Sequence, residues 1–204
     1  ALVCLDNSAV YPVLTQAIWE MGMIEHPVAA TTPIAQLQSE FNEHDYAVVI
    51  VKHELADQIV NDSVLEKTAI RLETDSNLTV FINTSLVADR MIQNPTEPSE
   101  DDLALILNTS GTTGKPKRVG LTHKILNNAA HHDIDSHRLT EDDTTMIIMP
   151  MFHINAQVIS TLSTRLSGGK IVIAQKFSAS RFWQQVSDNH VTWVSVVPTI
   201  ISIL

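Results

Sequence analysis

The residues best suited to chemistry lie in one short stretch, Asn108-Thr109-Ser110-Gly111-Thr112-Thr113-Gly114-Lys115-Pro116-Lys117. Ser110 to Gly114 form a run of small residues. Their hydroxyls and bare backbone amides suit an anion, and glycine permits the positive-φ turns that aim successive N–H groups at one point. Lys115 and Lys117 add positive charge to a chain whose net charge is -10. A polyphosphate fits this chemistry best. Taken alone, the stretch equally suits a polar turn between two strands, where Ser, Thr and Gly are common. It is not a Walker A loop, which needs four residues between its glycines and Ser or Thr after its Lys. It also lacks the G-x-G-x-x-G of a dinucleotide fingerprint. Ser110 has no Asp or His near it in sequence, and G-x-S-x-G is absent, which argues against a serine hydrolase.

Other candidates are scattered. His153 follows Pro150 where a strand ends, the edge at which open α/β sheets take their ligands. By itself it reads as a core histidine satisfied by a backbone carbonyl. Asn155 lies two residues on. Lys176 follows a strand over 171–174 and by itself reads as a solvated charge. The run His131-His132-Asp133-Ile134-Asp135-Ser136-His137 has no spacing that suits a compact tetrahedral metal site.

Strands and helices that position these residues alternate along the chain. Strand patterns are expected over 2–5, 26–30, 46–51, 68–72 and 78–82, with helices over 9–23, from Pro33 through Phe41, and over 54–60. Asp6-Asn7-Ser8 offers N-caps to the first helix. The continuous apolar run 46–51 reads as a parallel strand buried on both faces. Segment 94–102 holds two prolines, four acids and no apolar residue, and reads as a linker between 1–93 and 103–204. Beyond it come strands over 103–107, 118–121, 145–149, 170–174 and 191–197. Between them lie a helix capped by Thr122, one over 154–166 closed by Gly168-Gly169, and one capped by Ser178 with Phe182, Trp183 and Val186 as core. Pro198 opens a last helix. The expected fold class is α/β: layered, mainly parallel sheets flanked by helices.

Composition narrows the function. With 204 residues and 44% apolar content the chain can bury a sizeable core. Thirteen basic against 23 acidic side chains argue against a general nucleic-acid binder. No apolar run approaches the roughly 18 residues of a membrane span. The single Cys4 reads as a small buried hydrophobe, and a cytoplasmic setting fits.

The stretch 109–117, followed by Val119 and Thr122-His123, resembles the signature of the adenylate-forming family of acyl-CoA synthetases. The run Met149-Pro150-Met151-Phe152-His153-Ile154-Asn155-Ala156-Gln157 resembles that family's second core motif, and Lys176-Phe177-Ser178-Ala179-Ser180-Arg181-Phe182-Trp183 and Val197-Pro198-Thr199 also match. The likeness runs the length of the chain. It is nearest to the branch of crotonobetaine/carnitine-, oxalate- and 4-coumarate-CoA ligases. Two positions depart from the pattern: Asn108 stands where an aromatic is frequent, and Arg118 where a glycine is usual.

The resemblance implies an enzyme that activates a small carboxylic acid with ATP and Mg²⁺ as an acyl-adenylate, then passes the acyl group to coenzyme A. It implies that Thr109, Ser110, Gly111, Thr112, Thr113, Gly114, Lys115 and Lys117 form the phosphate loop. His153 would stand beside the acyl group and the α-phosphate, Asn155 would line the acyl pocket, and Lys176 would meet the coenzyme A phosphates. A non-CoA acceptor and a non-catalytic nucleotide-binding module are the alternatives. Leu2 without a polar lead and the uncapped apolar end at Leu204 lead us to expect a fragment. The family's aromatic-Gly-x-Thr-Glu segment, whose Glu holds Mg²⁺, its ribose-binding Asp and its C-terminal Lys are not in the sequence. These 204 residues alone are therefore expected to be inert.

Overall fold

Apolar runs spaced by caps and turns fold into two units, which a computed structural model describes over residues 1–60, 69–73, 77–91, 97–109 and 117–204. The first unit comprises Ala1–Leu5, Leu14–Ser99 and Ala104–Gly120, and the second Asp6–Val13, Glu100–Leu103 and Leu121–Leu204. The segment Ala104–Gly120, which the sequence assigns to the second half, groups with the first unit.

The first unit is built on a five-stranded sheet of β1 (Leu2–Cys4), β2 (His26–Val28), β3 (Val48–Lys52), β4 (Ala69–Glu73) and β5 (Leu78–Asn83), in the order β2-β1-β3-β5-β4. β1 runs parallel to β2 and β3. β3 is antiparallel to β5 on its other side, and β4 is antiparallel to β5. The sheet is therefore mixed, not mainly parallel, and β3 is parallel on one side only. The reason is connection length. Only 74–77 separate β4 from β5, and a parallel crossover takes a dozen or more residues.

Leu2, Cys4, Val49, Val51 and Phe81 pack against Leu37 and Phe41 of α2 (Ile34–Glu43) and Ala56 and Ile59 of α3 (His53–Val60). Cys4 is fully buried, as expected. α1 (Val10–Glu20) anchors its end through Trp19, whose indole N–H donates to the Ala104 carbonyl at 2.9 Å. Sequence reasoning missed α4 (Thr84–Met91), whose first turn is capped by the Asn83 side chain accepting from the Ser85 amide at 3.1 Å. β6 (Leu103–Thr109) and β7 (Lys117–Thr122) form a two-stranded sheet.

The second unit is organised around α5 (His123–His137) and the parallel pair β8 (Thr144–Ile147) and β9 (Lys170–Ile173). Thr122 caps α5 as expected, its hydroxyl accepting from the Ile125 amide at 3.3 Å. The helix expected over 154–166 is a π-helix, Asn155–Leu162, continued by α6 (Ser163–Ser167). Thr161 Oγ1 donates to Ala156 O at 2.7 Å and Ser163 Oγ to Val158 O at 3.1 Å, each five residues back. Such hydroxyl bonds compete with the ordinary ladder and favour the wider turn.

Gly168 then adopts φ +82°, a left-handed conformation that favours glycine. A Cβ on Gly169 would stand 2.8 Å from the Asp143 carbonyl oxygen, so no side chain fits where β9 joins β8.

Three expectations fail here. Trp183 on α7 (Ala179–Asp188) is 62% exposed, whereas Phe182 is buried. Neighbours on a helix are about 100° apart and cannot share one narrow apolar face. Ser178 makes no side-chain cap bond to that helix. The strand expected over 191–197 is reduced to one parallel bridge, Trp193 to Thr145. Val194 and Val196 instead pack with Met146, Ile148 and Phe182, so their apolar character reflects core contact. Pro198 opens α8 (Pro198–Ile203) as expected.

Candidate functional site

Because β8 and β9 are parallel, the chain leaves both at the same carboxyl edge. One exit runs Ile148 to His153 and the other Ala174 to Lys176. Asn7, 7% exposed, ties the two together. Its amide nitrogen donates to Met149 O at 2.9 Å and Ala174 O at 3.1 Å, and its oxygen accepts from the Met151 amide at 2.8 Å. The sequence offers Asn7 only as a helix cap. Its partners lie 142 residues or more away, so no local spacing could reveal the role.

His153 begins the turn into the π-helix. Its amide donates to Pro150 O at 3.1 Å, and its carbonyl accepts from the Ala156 and Gln157 amides, both at 3.1 Å. The backbone is thus fixed while the ring lies against Phe152, with centroids 4.0 Å apart. The ring reaches solvent, yet the atoms around it desolvate it enough to lower its pKa. The neutral imidazole is favoured, able to offer an N–H or a lone pair to a ligand. It is not the buried core histidine of the local reading.

Asn155, partly buried, donates through Nδ2 to Ser195 Oγ at 2.8 Å. Its Oδ1 is buried with no hydrogen-bond partner. Ser195 was not singled out from sequence, because a lone Ser in an apolar run carries no signal. Lys176 is exposed just beyond the Asn7-bound Ala174.

In the first unit, Thr109 ends β6 and the exposed Lys117 begins β7. Ser110, Gly111, Thr112, Thr113, Gly114 and Lys115 lie outside the described residues. Next to Lys117, Arg118 pairs with Glu40 of α2 and reaches the Tyr46 hydroxyl at 3.4 Å. Tyr46 donates its proton to Glu40, and His26 Nδ1 lies 2.6 Å from the same phenol oxygen. With the phenol proton directed to Glu40, the imidazole Nδ1–H donates to Tyr46.

Burial works against the Glu40 carboxylate, but the Tyr46 hydroxyl and Arg118 outweigh it and hold the carboxyl below its usual range. Burial, then Glu40, push the Tyr46 phenol up. Burial draws His26 down despite the Glu40 charge. At neutral pH the cluster is one ion pair flanked by a neutral phenol and a neutral imidazole. A cavity of about 450 Å³ beside it is lined by His26, Tyr46, Arg118, Leu86 and Ile106 among others. Among the described residues, none of those expected to act from sequence lines it.

Among the described residues no three His, Cys, Asp or Glu side chains cluster to hold a metal ion. No helix among the described residues is long and apolar enough to cross a membrane.

Comparison with known proteins agrees with the architecture. The chain is 40% identical over 107 residues to a sulfoacetate–CoA ligase of Cupriavidus necator, covering 52% of this chain and 21% of that one. It is 36% identical over 141 residues to an oxalate–CoA ligase of Arabidopsis thaliana, covering 67% of this chain and 27% of that one. It thus spans about a quarter of the length of these relatives. The crystal structure of ATP-bound MatB from Rhodopseudomonas palustris superposes with a TM-score of 0.81 at 22% identity, over 98% of this chain and 39% of that one, a likeness of fold. The family model described as AMP-binding enzyme matches residues 1–204, and the chain belongs to that family.

Proposed function

We propose that this chain is the phosphate-loop part of an ATP-dependent acid–CoA ligase that acts on a short, polar carboxylic acid. In the first step a carboxylate oxygen attacks the α-phosphorus of ATP. The new O–P bond forms as the bond to the β-phosphate bridge breaks, and pyrophosphate leaves. In the second step the thiolate of coenzyme A attacks the acyl carbonyl and AMP departs. The thiol proton passes to solvent or base. Phosphoryl-group chemistry of this kind needs positioning and charge neutralisation more than a protein nucleophile.

The chain's residues divide that work. Backbone amides and hydroxyls of Thr109, Ser110, Gly111, Thr112, Thr113 and Gly114, with Lys115 and Lys117, hold the β- and γ-phosphates. His153, neutral at pH 7, stands by the incoming carboxylate without trapping it as a salt. Asn155 offers an amide to the acyl pocket, and Lys176 offers a charge to the coenzyme A phosphates. The observation that carries the reading is the shared exit edge of β8 and β9, where Asn7 fixes the two turns that bear His153 and Lys176.

The preference for a short polar acid is supported by the buried Asn155 Oδ1 without a partner. An apolar chain would leave it unsatisfied, which is unfavourable by about 1–3 kcal/mol. Oδ1 only accepts, so an acid whose tail carries a hydroxyl or another donor would satisfy it. We further infer a cytoplasmic enzyme. We also infer that these 204 residues release no pyrophosphate alone, since the family's Glu-bearing segment and catalytic Lys are not among them.

The test is AMP formation by the full-length protein with a panel of short diacids, sulfonated acids and alkyl acids. Acid-dependent AMP is expected, weakened at least tenfold by His153→Ala. No AMP with any acid, and no ATP binding by calorimetry, would overturn the reading.

A further inference from the structure

Segment Asp6–Val13 belongs to the second unit although it precedes most of the first in sequence. It carries two buried polar side chains whose partners lie more than 140 residues downstream. Tyr11 holds its hydroxyl 3.5 Å from Nε2 of Gln157 in the π-helix. Asn7 engages its whole primary amide. Its nitrogen donates to Met149 O on the β8 exit and to Ala174 O on the β9 exit, and its oxygen accepts from the Met151 amide. A primary amide carries two donor hydrogens and an acceptor oxygen in one plane. Among short side chains only Asn has both, so a carboxylate, a hydroxyl or an alkyl group cannot make the same three bonds.

Each exit is held on a second side as well. The His153 amide donates to Pro150 O at 3.1 Å, between the two residues that Asn7 grips. The Ala174 amide donates to Ile147 O at 2.9 Å while its carbonyl accepts from Asn7. His153 is thus two residues from one clamped group, and Lys176 two residues from another. Because one nitrogen serves both carbonyls, the exits are held at a fixed separation, and a shift of either is passed to the other. We propose, on the roles given above to His153 and Lys176, that Asn7 is a positioning residue for both half-reactions. It registers the His153 turn, which meets the carboxylate and the α-phosphate, against the Lys176 exit, which meets coenzyme A. Misplacing a positioning group by about 1 Å can cost about a hundredfold in rate, so loosening one amide impairs two separate steps.

The test uses the full-length protein, with the panel acid that gives the most AMP, and follows the two half-reactions separately. Adenylation is read as pyrophosphate released in the first turnover at saturating ATP without coenzyme A. Thioester formation is read as AMP released when coenzyme A is added to the preformed acyl-adenylate. Asn7→Ala is expected to slow adenylation at least about tenfold and to raise the half-saturating coenzyme A concentration at least about threefold, with ATP half-saturation within about twofold. Asn7→Ser, which leaves a small hydroxyl in the same space, should move the same two quantities by smaller factors. In a His153→Ala background, Asn7→Ala should slow adenylation by less than about threefold further, since both act on one turn. Gly169→Ala disturbs the same unit at the opposite end of β9 and should leave both quantities within about twofold.

A change in only one of the two quantities, or in neither, would overturn the proposal. Full additivity with His153→Ala would overturn it too, as would equal losses in Gly169→Ala. Failure of both Asn7 variants to fold would do the same, by leaving Asn7 a purely structural role. His153→Ala and Lys176→Ala separate the two levels of inference. If the first leaves adenylation unchanged, or the second leaves coenzyme A saturation unchanged, the underlying reading of the site fails. If both act and Asn7→Ala does not, only the positioning role fails.

Discussion

Replacing Asn7 with alanine removes three hydrogen bonds at once from the edge that carries His153 and Lys176. Each is worth about 1 kcal/mol net in a typical protein, so the local loss is about 3 kcal/mol. The Met151 amide is the most sensitive reporter. Met151 is 2% exposed, its N–H donates to Asn7 Oδ1 at 2.8 Å, and alanine offers it no acceptor. A loss of about 3 kcal/mol in local opening corresponds to roughly a hundredfold fall in protection, at about 1.4 kcal/mol per decade. Hydrogen exchange read by mass spectrometry on a peptide spanning 148–153 should show that fall, while peptides from β3 keep their protection.

Asn7→Asp is a sharper control. It retains an acceptor for Met151 but turns a carboxylate toward the Met149 and Ala174 carbonyl oxygens, so it should be at least as disruptive as alanine. Protection at Met151 within threefold of the parent protein in both variants would refute the claim that Asn7 holds this edge.

Three further outcomes follow from packing and charge. Gly169→Ala should destabilise the second unit by about 1–3 kcal/mol in urea unfolding, because its Cβ would lie 2.8 Å from the Asp143 carbonyl and 3.2 Å from that of Thr140, backbone atoms that cannot swing aside; a neutral result would show that β9 can slide. Phe182→Ala should lose about 3–5 kcal/mol, but Trp183→Ala, on an exposed side chain, should stay within about 0.5 kcal/mol; comparable losses would mean the face of α7 is misassigned. Acid should weaken the first unit in two stages. Native His26 has a lowered pKa, so below about pH 6.5 the unfolded chain binds the extra proton and stability falls with pH. Native Glu40 is also lowered, so its contribution, present above about pH 4.5, is lost as pH falls through its native value. The thermal midpoint should therefore drop between pH 7.5 and 5.5, and His26→Gln should flatten that segment; equal slopes in parent and variant would exclude His26 as the cause.

The order and type of most elements were legible from local pattern. Apolar runs at 2–5, 46–51 and 78–82 became strands, and Thr122 capped its helix, because burial and caps act over a few residues. The family was legible too, since its signature is a contiguous string whose chemistry depends on neighbours in sequence. What local pattern could not carry was pairing direction, helix facing and support across long separations. β5 lies antiparallel against β3, a choice made by the short link from β4. Trp183 faces solvent because Phe182 already claims the core. Asn7 serves turns more than 140 residues downstream, and Arg118 finds Glu40 across 78 residues. Such pairs exist only once strands and helices have packed. A side chain's hydrogen-bonding capacity is written in its type, but its partner is whatever the fold brings within 3 Å.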